Sequence, residues 1–269
     1  MISMALLSKG DHFCADEHNG LVIGVAVEVS DHDSGIHFHA KDQLLSSQHG
    51  CMTITLEDVK YVLPPMRAAW IPKGVSHNAQ STNVAQYRSL YFDPSLTERL
   101  PRKIRIFDVT PLMRILIERM SFWPFDKPES EQVNTLNLFI EELNDSEDVY
   151  LQLPLPKDYR LQSWIAKIDD EAFTAPSLAK LSQWVGASEK TITRIFNRET
   201  GMPYQSWRQQ WRLLGAIELL SSGMRLSDVA HRLEFSSDSA FIYFFRQKTG
   251  ITPMSYLNNE PSFGGSQLK

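Results

Sequence analysis

The 269-residue chain has no run of 18 or more apolar residues, so no segment reads as a membrane-spanning helix. Cysteine is almost missing. Cys14 and Cys51 are too few for a disulfide framework and read as free thiols of a reducing, cytoplasmic compartment. The opening MISMALLSKGDHF has too short an apolar stretch for a signal peptide, and its only early charge, Lys9, follows that stretch. No P-loop, Rossmann glycine fingerprint or Ser-His-Asp set is visible, which removes the commonest enzyme signatures. Positive charge is also scarce, with a formal net charge of −5. That figure is unevenly distributed. Residues 159–258 hold 12 Lys+Arg against 9 Asp+Glu, a balance of +3, while the remainder holds 15 against 23, a balance of −8. The C-terminal part is the basic one, although +3 alone is a weak sign of a nucleic-acid partner.

What is present falls into three zones. Residues 20–93 carry short β-type runs: Leu21–Val29, the alternating Met52–Leu56, Tyr61–Leu63, Ala68–Ile71 and Val84–Phe92. Asp33-Ser34-Gly35, His49-Gly50, Pro64-Pro65 and Pro72-Lys73-Gly74 punctuate them, a pattern that predicts a β-barrel or sandwich. Residues 108–148 read as helical. Thr110 can cap a helix with Pro111 in its first position, running to about Phe122. A second helix over Ser130–Asn144 would place Val133, Leu136, Phe139, Ile140 and Leu143 on one face. From 159 to 258 no β-type run occurs. Helices are predicted at Gln162–Ala172, Ser177–Val185, Ser188–Thr200, Tyr204–Ser222, Leu226–Leu233, Ser237–Thr249 and after Pro253, with Trp164, Trp184, Trp207 and Trp211 as core.

Within that last zone Ser177–Val185 turns at Gly186 into a helix capped by Ser188, and Leu178, Leu181 and Val185 face inward with Ile192, Ile195 and Phe196. The pattern recurs about 48 residues later. Leu226–Leu233 leads to a helix capped by Ser236 or Ser237, with Phe241, Phe244 and Phe245 as its apolar face. Each second helix ends on Thr-Gly with Pro just beyond, at Thr200-Gly201-Met202-Pro203 and Thr249-Gly250-Ile251-Thr252-Pro253.

These residues strongly resemble the AraC/XylS family of transcriptional regulators. The run Ala230-HRLEF-Ser236-Ser237-Asp238-Ser239-Ala240-Phe241-IYF-Phe245-Arg246-QKT-Gly250-Ile251-Thr252-Pro253 follows the family pattern, and Ser188, Arg194-Ile195-Phe196 and Glu199-Thr200-Gly201 match in the first unit. One position departs: Glu234 stands where the family usually has Gly, at a turn that favours a left-handed backbone, with an expected strain of roughly 1 kcal/mol. The resemblance implies double-stranded DNA as partner, with each second helix in the major groove. Exposed candidates are Glu189, Lys190, Thr193 and Arg194 in the first unit. Arg194 is suited to a bidentate guanine contact, and Arg198 one turn on to phosphate. The second unit offers Asp238, Ser239, Ile242 and Tyr243, with no Arg before Arg246. The first unit is therefore expected to carry most base discrimination.

In the N-terminal zone His37-Phe38-His39 places two imidazoles on one side of a strand. Gln43 follows four residues on, and Pro72-Lys73-Gly74-Val75-Ser76-His77 comes later. This resembles the two cupin motifs, which implies a small double-sheet barrel with His37, His39, Gln43 and His77 converging inside. Three His could form a first shell for zinc or another transition metal. Gln43 replaces the Glu of metal cupins, and a neutral amide is a weaker metal ligand but a good hydrogen-bond partner for an organic ligand. A metal-free ligand pocket, a metal-assisted one and a purely structural set stand as the three readings. Trp70 and Tyr91 are either pocket walls or barrel core.

The chain is thus expected to be a two-domain α+β protein. A cupin or jelly-roll-like sensing barrel spans 1–107, a helical linker or dimerisation region 108–158, an all-α double helix-turn-helix domain 159–258, and a flexible tail 259–269. The expected function is a sequence-specific transcriptional regulator, not an enzyme, controlled by a small-molecule effector and acting on RNA polymerase where it activates. The family resemblance adds a homodimer. The competing readings are a metal-dependent cupin enzyme with an appended helical domain and an adaptor that has lost DNA binding.

Overall fold

The structure is a computed structural model that describes residues 6–7, 13–29, 32–56, 58–81, 85–170 and 173–257. The predicted tail at 259–269 lies outside the described residues. Chain contacts divide into two compact units, Met1–Gln152 and Leu153–Lys269.

The first unit contains β1 (Leu6–Leu7), β2 (Val22–Val29), β3 (His32–Asp33), β4 (Asp42–His49), β5 (Met52–Thr55), β6 (Val59–Leu63), β7 (Arg67–Ile71), β8 (Asn78–Ser81), β9 (Ala85–Phe92) and β10 (Arg105–Asp108), then α1 (Pro111–Ser121) and α2 (Glu129–Asp145). One sheet has the order β1-β2-β9-β4-β7-β10, and the other carries β6-β5-β8-β3. Apart from the short parallel β1–β2 contact, the pairings are antiparallel. The two-sheet N-terminal unit and the all-helical C-terminal unit are the architecture that the sequence pattern predicts.

The near-continuous apolar run of β2 has a physical cause. Val22 to Val27 are buried because helices cover the outer face of the larger sheet. Met113, Leu116, Ile117 and Met120 of α1 and Leu136, Phe139, Ile140 and Leu143 of α2 join Val22, Leu44, Trp70, Leu90 and Phe92 in one core. At Gly24 the helix comes so close that a Cβ would lie 2.0 Å from the Met120 carbonyl oxygen. Arg88 of β9 clamps Glu118 of α1 through two bonds, of 2.7 and 3.0 Å. Residues 108–158, expected as a linker, are therefore divided. Both helices are integral to the first unit, and the boundary falls at 152/153. Thr110 caps α1 as predicted, accepting from the Met113 N–H at 3.0 Å. On α2 the buried stripe includes Gln132 instead of Val133, which is 40% exposed. The Gln132 Oε1 satisfies the Val22 N–H at 3.0 Å, where strand pairing begins.

The second unit begins at Leu153, within β11 (Gln152–Pro154), and contains α3 (Tyr159–Ile165), α4 (Leu178–Val185), α5 (Glu189–Thr200), α6 (Tyr204–Ser221), α7 (Leu226–Arg232), α8 (Asp238–Thr249) and α9 (Pro253–Leu257). The helix expected at Gln162–Ala172 starts earlier, capped by Asp158, and ends at Ile165. The chain then turns back so that Phe173 meets Trp164, with ring centroids 5.2 Å apart; residues 171–172 are not described. Helix α6 packs against both α5 and α7, and its inner stripe of Tyr204, Trp207, Leu214 and Ile217 is buried. Trp164, Phe196, Tyr204 and Trp207 form the centre of the first half. Trp184 is a correction: it is 61% exposed, because Leu178, Leu181 and Val185 define the inward stripe of α4 and leave it at the side.

Candidate nucleic-acid interface and ligand pocket

Helices α4 and α5 are joined by a tight turn. Gly186 adopts φ 64°, and the Ala187 N–H reaches the Ser182 carbonyl at 3.2 Å, which satisfies an end-of-helix acceptor. Ser188 then accepts from the Thr191 N–H at 3.2 Å and starts α5. Helix α7 ends the same way, 48 residues on. The Phe235 N–H bonds the Ala230 carbonyl at 2.9 Å, and the left-handed position is Glu234, at φ 58°. Its carboxylate lies 3.2 Å from Arg208 and 3.6 Å from Arg212 of α6, so an ion pair offsets backbone strain at this turn. The cap of α8 is Ser237, not Ser236, so this turn is one residue longer than the first.

On α5, Ile192, Ile195 and Phe196 are buried, and Lys190 and Arg194 point outward with no partner among the described residues. Thr193 is half-buried and its hydroxyl donates to the Glu189 carbonyl at 2.9 Å. Glu189 occupies the first turn, where a negative charge suits the helix dipole. Arg198 is exposed but already engaged, bonded to Glu199 and 3.3 Å from Asp158. Glu199 in turn accepts from the N–H groups of Lys157 and Asp158 at 2.8 and 2.9 Å. This cluster fastens the start of α3 to α5, a role that sequence spacing does not reveal. On α8, Phe241 and Phe245 are buried, and Phe244 is half-buried against Phe235. Asp238, Ser239, Tyr243 and Arg246 are exposed, and Ile242 is half-buried.

In the first unit His37, His39 and His77 come together. One ring nitrogen from each lies within 4.8 Å of the others. The cause is a backbone lock. His37 and His77 exchange both main-chain hydrogen bonds, at 3.0 and 2.9 Å, and the Gly74 N–H reaches the His39 carbonyl at 2.9 Å. Gly74 needs its positive φ of 75° to make that turn. Residues 34–41 form an irregular segment, bent at Ile36, Ala40 and Lys41, with a single bridge at His37 and no strand, yet the two imidazoles do share a side and leave Ile36 and Phe38 exposed. Each ring directs Nδ1 at a carbonyl oxygen: His37 at Gly35 (3.0 Å), His39 at Lys41 (3.0 Å) and His77 at Val75 (2.9 Å). A carbonyl only accepts, so Nδ1 carries the proton in each neutral ring and Nε2 presents a lone pair. Burial lowers the pKa of His77 to about 4 and lowers that of His39, so these two rings are neutral near pH 7.

Gln43 joins them. Its Oε1 lies 3.1 Å from His39 Nε2, and its Nε2 lies 2.7 Å from Ser89 Oγ and 3.1 Å from the Tyr91 hydroxyl. Tyr91 walls the pocket, edge-on to His39 with ring centroids 5.2 Å apart. Trp70 instead belongs to the core under the helices and donates to the Pro101 carbonyl at 2.8 Å. Ser89 and the carbonyl acceptors have no motif signature. Only the register of β4 on β9, with Gln43 opposite Tyr91, brings Ser89 into reach.

A two-sheet unit with a polar internal cluster, followed by helices with outward basic side chains, is the pattern of a ligand-binding domain followed by a helix-turn-helix domain. Residues 19–141 match the AraC-like ligand binding domain family, and residues 181–259 match a helix-turn-helix domain family. The two matches together cover about three quarters of the sequence. The chain belongs to the AraC/XylS-type family of helix-turn-helix transcriptional regulators. It is 29% identical over 248 residues to the HTH-type transcriptional regulator NimR of Escherichia coli strain K12, covering 90% of this chain and 89% of that one. It is 25% identical over 197 residues to the thermoregulatory protein LcrF of Yersinia pestis, covering 70% and 71%. Among solved structures, ToxT from Vibrio cholerae aligns over 90% of this chain and 99% of its own, with 11% identity and a TM-score of 0.36. Among the described residues no helix is long and apolar enough to cross a membrane.

Proposed function

We propose that this regulator reads two adjacent major-groove segments with α5 and α8, under the control of a small molecule held in the His37/His39/Gln43/His77 pocket. The observation that carries the DNA reading is the two-faced character of α5: a buried Ile192/Ile195/Phe196 stripe and, opposite it, Lys190 and Arg194 with no partner among the described residues. Arg194 is the base reader, with Lys190 and Thr193 beside it. Arg198 is tied to Asp158 and Glu199 and serves mainly to hold α3, which removes it from the phosphate-contact set. Helix α8 contributes Ser239, Tyr243 and Arg246 to the backbone with Ile242 at the groove floor, and Asp238 mainly stabilises the helix start. The effector acts by binding the DNA-competent and incompetent arrangements unequally. RNA polymerase is a further partner if the chain activates, and a second copy would meet α1, whose Leu112, Ile115 and Phe122 are exposed.

Selection of bound sequences from random duplex DNA at near-physiological salt tests this. Two short motifs separated by about one helical turn, roughly 34–36 Å, support reading by both helices. One motif assigns readout to α5 alone, and no enrichment overturns the proposal. With Arg194→Ala, base preference should relax in one half of the site, by about 1–3 kcal/mol of discrimination. A uniform loss of affinity with unchanged preferences would refute the contact assignment.

A further inference from the structure

We infer that α8 is a thymine reader, with the side chain of Ile242, flanked by the ring of Tyr243, resting on C5-methyl groups of A·T pairs in the major groove. The operator then joins a guanine-bearing segment under α5 to a thymine-bearing segment under α8. The inference deepens the reading of these two helices as groove helices and rests on it. What it adds is the class of base pair that each helix selects.

The rotation of α8 about its axis is fixed by its aromatic side. Phe241 and Phe245 are buried, with ring centroids 5.9 Å apart, and Phe244 packs 5.0 Å from Phe235. At about 100° per residue, Ser239, Ile242, Tyr243 and Arg246 then share the opposite arc, roughly 100° wide. Tyr243 is 68% exposed and Ile242 half-buried. On α5 the same arc opens with Lys190, Thr193 and Arg194, which include two cations with no partner among the described residues. The two helices therefore present the groove with different chemistry in their first two turns, the part that reaches base edges.

That difference selects the base pair. Guanine offers two acceptors, O6 and N7, which suit a guanidinium or ammonium, and the N6/N7 edge of adenine suits a side-chain amide. Residues 238–245 contain no Lys, Arg, Asn or Gln. Asp238, the one charged group among them, belongs to the first turn and lies to the side of the outward arc. What remains is the Ser239 hydroxyl, which accepts any base, a branched alkyl chain and a phenol. The thymine C5-methyl is the one apolar group on the major-groove edge of the base pairs. Ile242 is the one aliphatic side chain on the outward arc of either helix. Bringing the two together removes both from water, which is worth about fourfold in affinity for each methyl group buried. Arg246, exposed one turn further on and with no partner among the described residues, holds the helix to phosphate without choosing a base.

The test uses the full-length protein and the duplex recovered by selection from random DNA. Thymine is replaced by uracil in one segment at a time, which removes only the C5-methyl group, and affinity is measured by fluorescence anisotropy at fixed salt. One segment is expected to respond, with binding weakened about fourfold for each methyl group under Ile242. A 5-methylcytosine·guanine pair at the responsive position should bind more tightly than its unmethylated counterpart by a similar factor, because it restores the methyl group without the A·T pair. Ile242→Ala should bind the thymine and uracil duplexes alike, and circular dichroism would show that this variant stays folded. Equal affinity of wild type for thymine and uracil duplexes overturns the inference with no variant involved. So does a single recovered motif, a lack of thymine in both segments, or an Ile242→Ala protein that keeps the full thymine preference. Two motifs with a silent uracil exchange remove this inference alone and leave the DNA reading standing. No enrichment removes the DNA reading itself, and this inference with it.

Discussion

Replacing Glu234 by glycine sets two opposed effects against each other at one turn. The residue sits at φ 58°, where an L side chain costs roughly 1 kcal/mol that glycine would recover. Glycine gives back about 0.5–1 kcal/mol of that through the greater freedom of the unfolded chain. Against the gain stands the carboxylate, the ion-pair partner of both Arg208 and Arg212, whose side chains are only 16% and 15% exposed. Arg212 also stacks over Phe235, 5.0 Å from the ring centroid, and its pKa is lowered by burial and then by neighbouring Arg208. Glu234 itself is 53% exposed, so its attraction counts on the scale of a surface pair. Even so, two half-buried guanidinium groups left facing each other bring the loss to about 1–2 kcal/mol. Glu234→Gly should therefore destabilise the second unit by about 1 kcal/mol, lowering the melting temperature by a few degrees for a unit of this size. Glu234→Ala loses the pair without relieving the backbone and should be at least as harmful. Urea and thermal unfolding, with amide exchange at Leu233–Phe235 as a local probe, measure both. If the glycine variant were more stable than wild type by about 1 kcal/mol, the ion pairs would contribute nothing and the argument would collapse.

Gly24→Ala drives a methyl group to 2.0 Å from the Met120 carbonyl and 2.6 Å from the Ser121 Cα, so α1 must lift from the sheet. A loss of about 3 kcal/mol or more in chemical denaturation is expected, and a cost below about 1 kcal/mol would show that the helix shifts freely. The Asp158 carboxyl is held well below the usual carboxylate range, chiefly by its hydrogen bonds to the Arg160 guanidinium. A depressed folded-state pKa gives stability that is present above the unfolded value near 3.9 and is lost as pH falls through the folded one. Asp158→Asn should therefore be less stable than wild type at pH 7 and show a flatter decline below about pH 5, followed by tryptophan fluorescence. Equal acid sensitivity in the two proteins would remove Asp158 from the account.

The helices of the second unit are legible in the sequence because their punctuation is local. Ser177, Ser188 and Ser237 cap the helices they precede, and Gly186, Gly201 and Gly250 end helices at positive φ. What escapes a sequence reading depends on long-range contact. Gln132 is buried only because Val22 needs an acceptor, and Trp184 is exposed only because Leu181 takes the inner position three residues earlier. The integral role of α1 and α2 follows from the apolar strand they cover and the glycine within it, which read in the sequence only as one β-run. In the pocket the His and Gln spacing is visible in the chain, whereas the three carbonyls that set the tautomers belong to no motif.

The extra residue in the turn before α8 has a practical consequence for engineering. Residues of equivalent facing in the two reading helices are 49 apart, not 48 as in the preceding turns: Ile192 and Phe196 correspond to Phe241 and Phe245, and Lys190, Thr193 and Arg194 to Ser239, Ile242 and Tyr243. A transplant of side chains between the helices in the 48-residue frame would rotate the grafted set by about 100°, because each residue advances an α-helix by that angle. It would put a threonine in the buried place of Phe241 and an arginine in the half-buried place of Ile242. The two halves are therefore related copies with separate frames, and any redesign of operator preference has to treat each helix in its own.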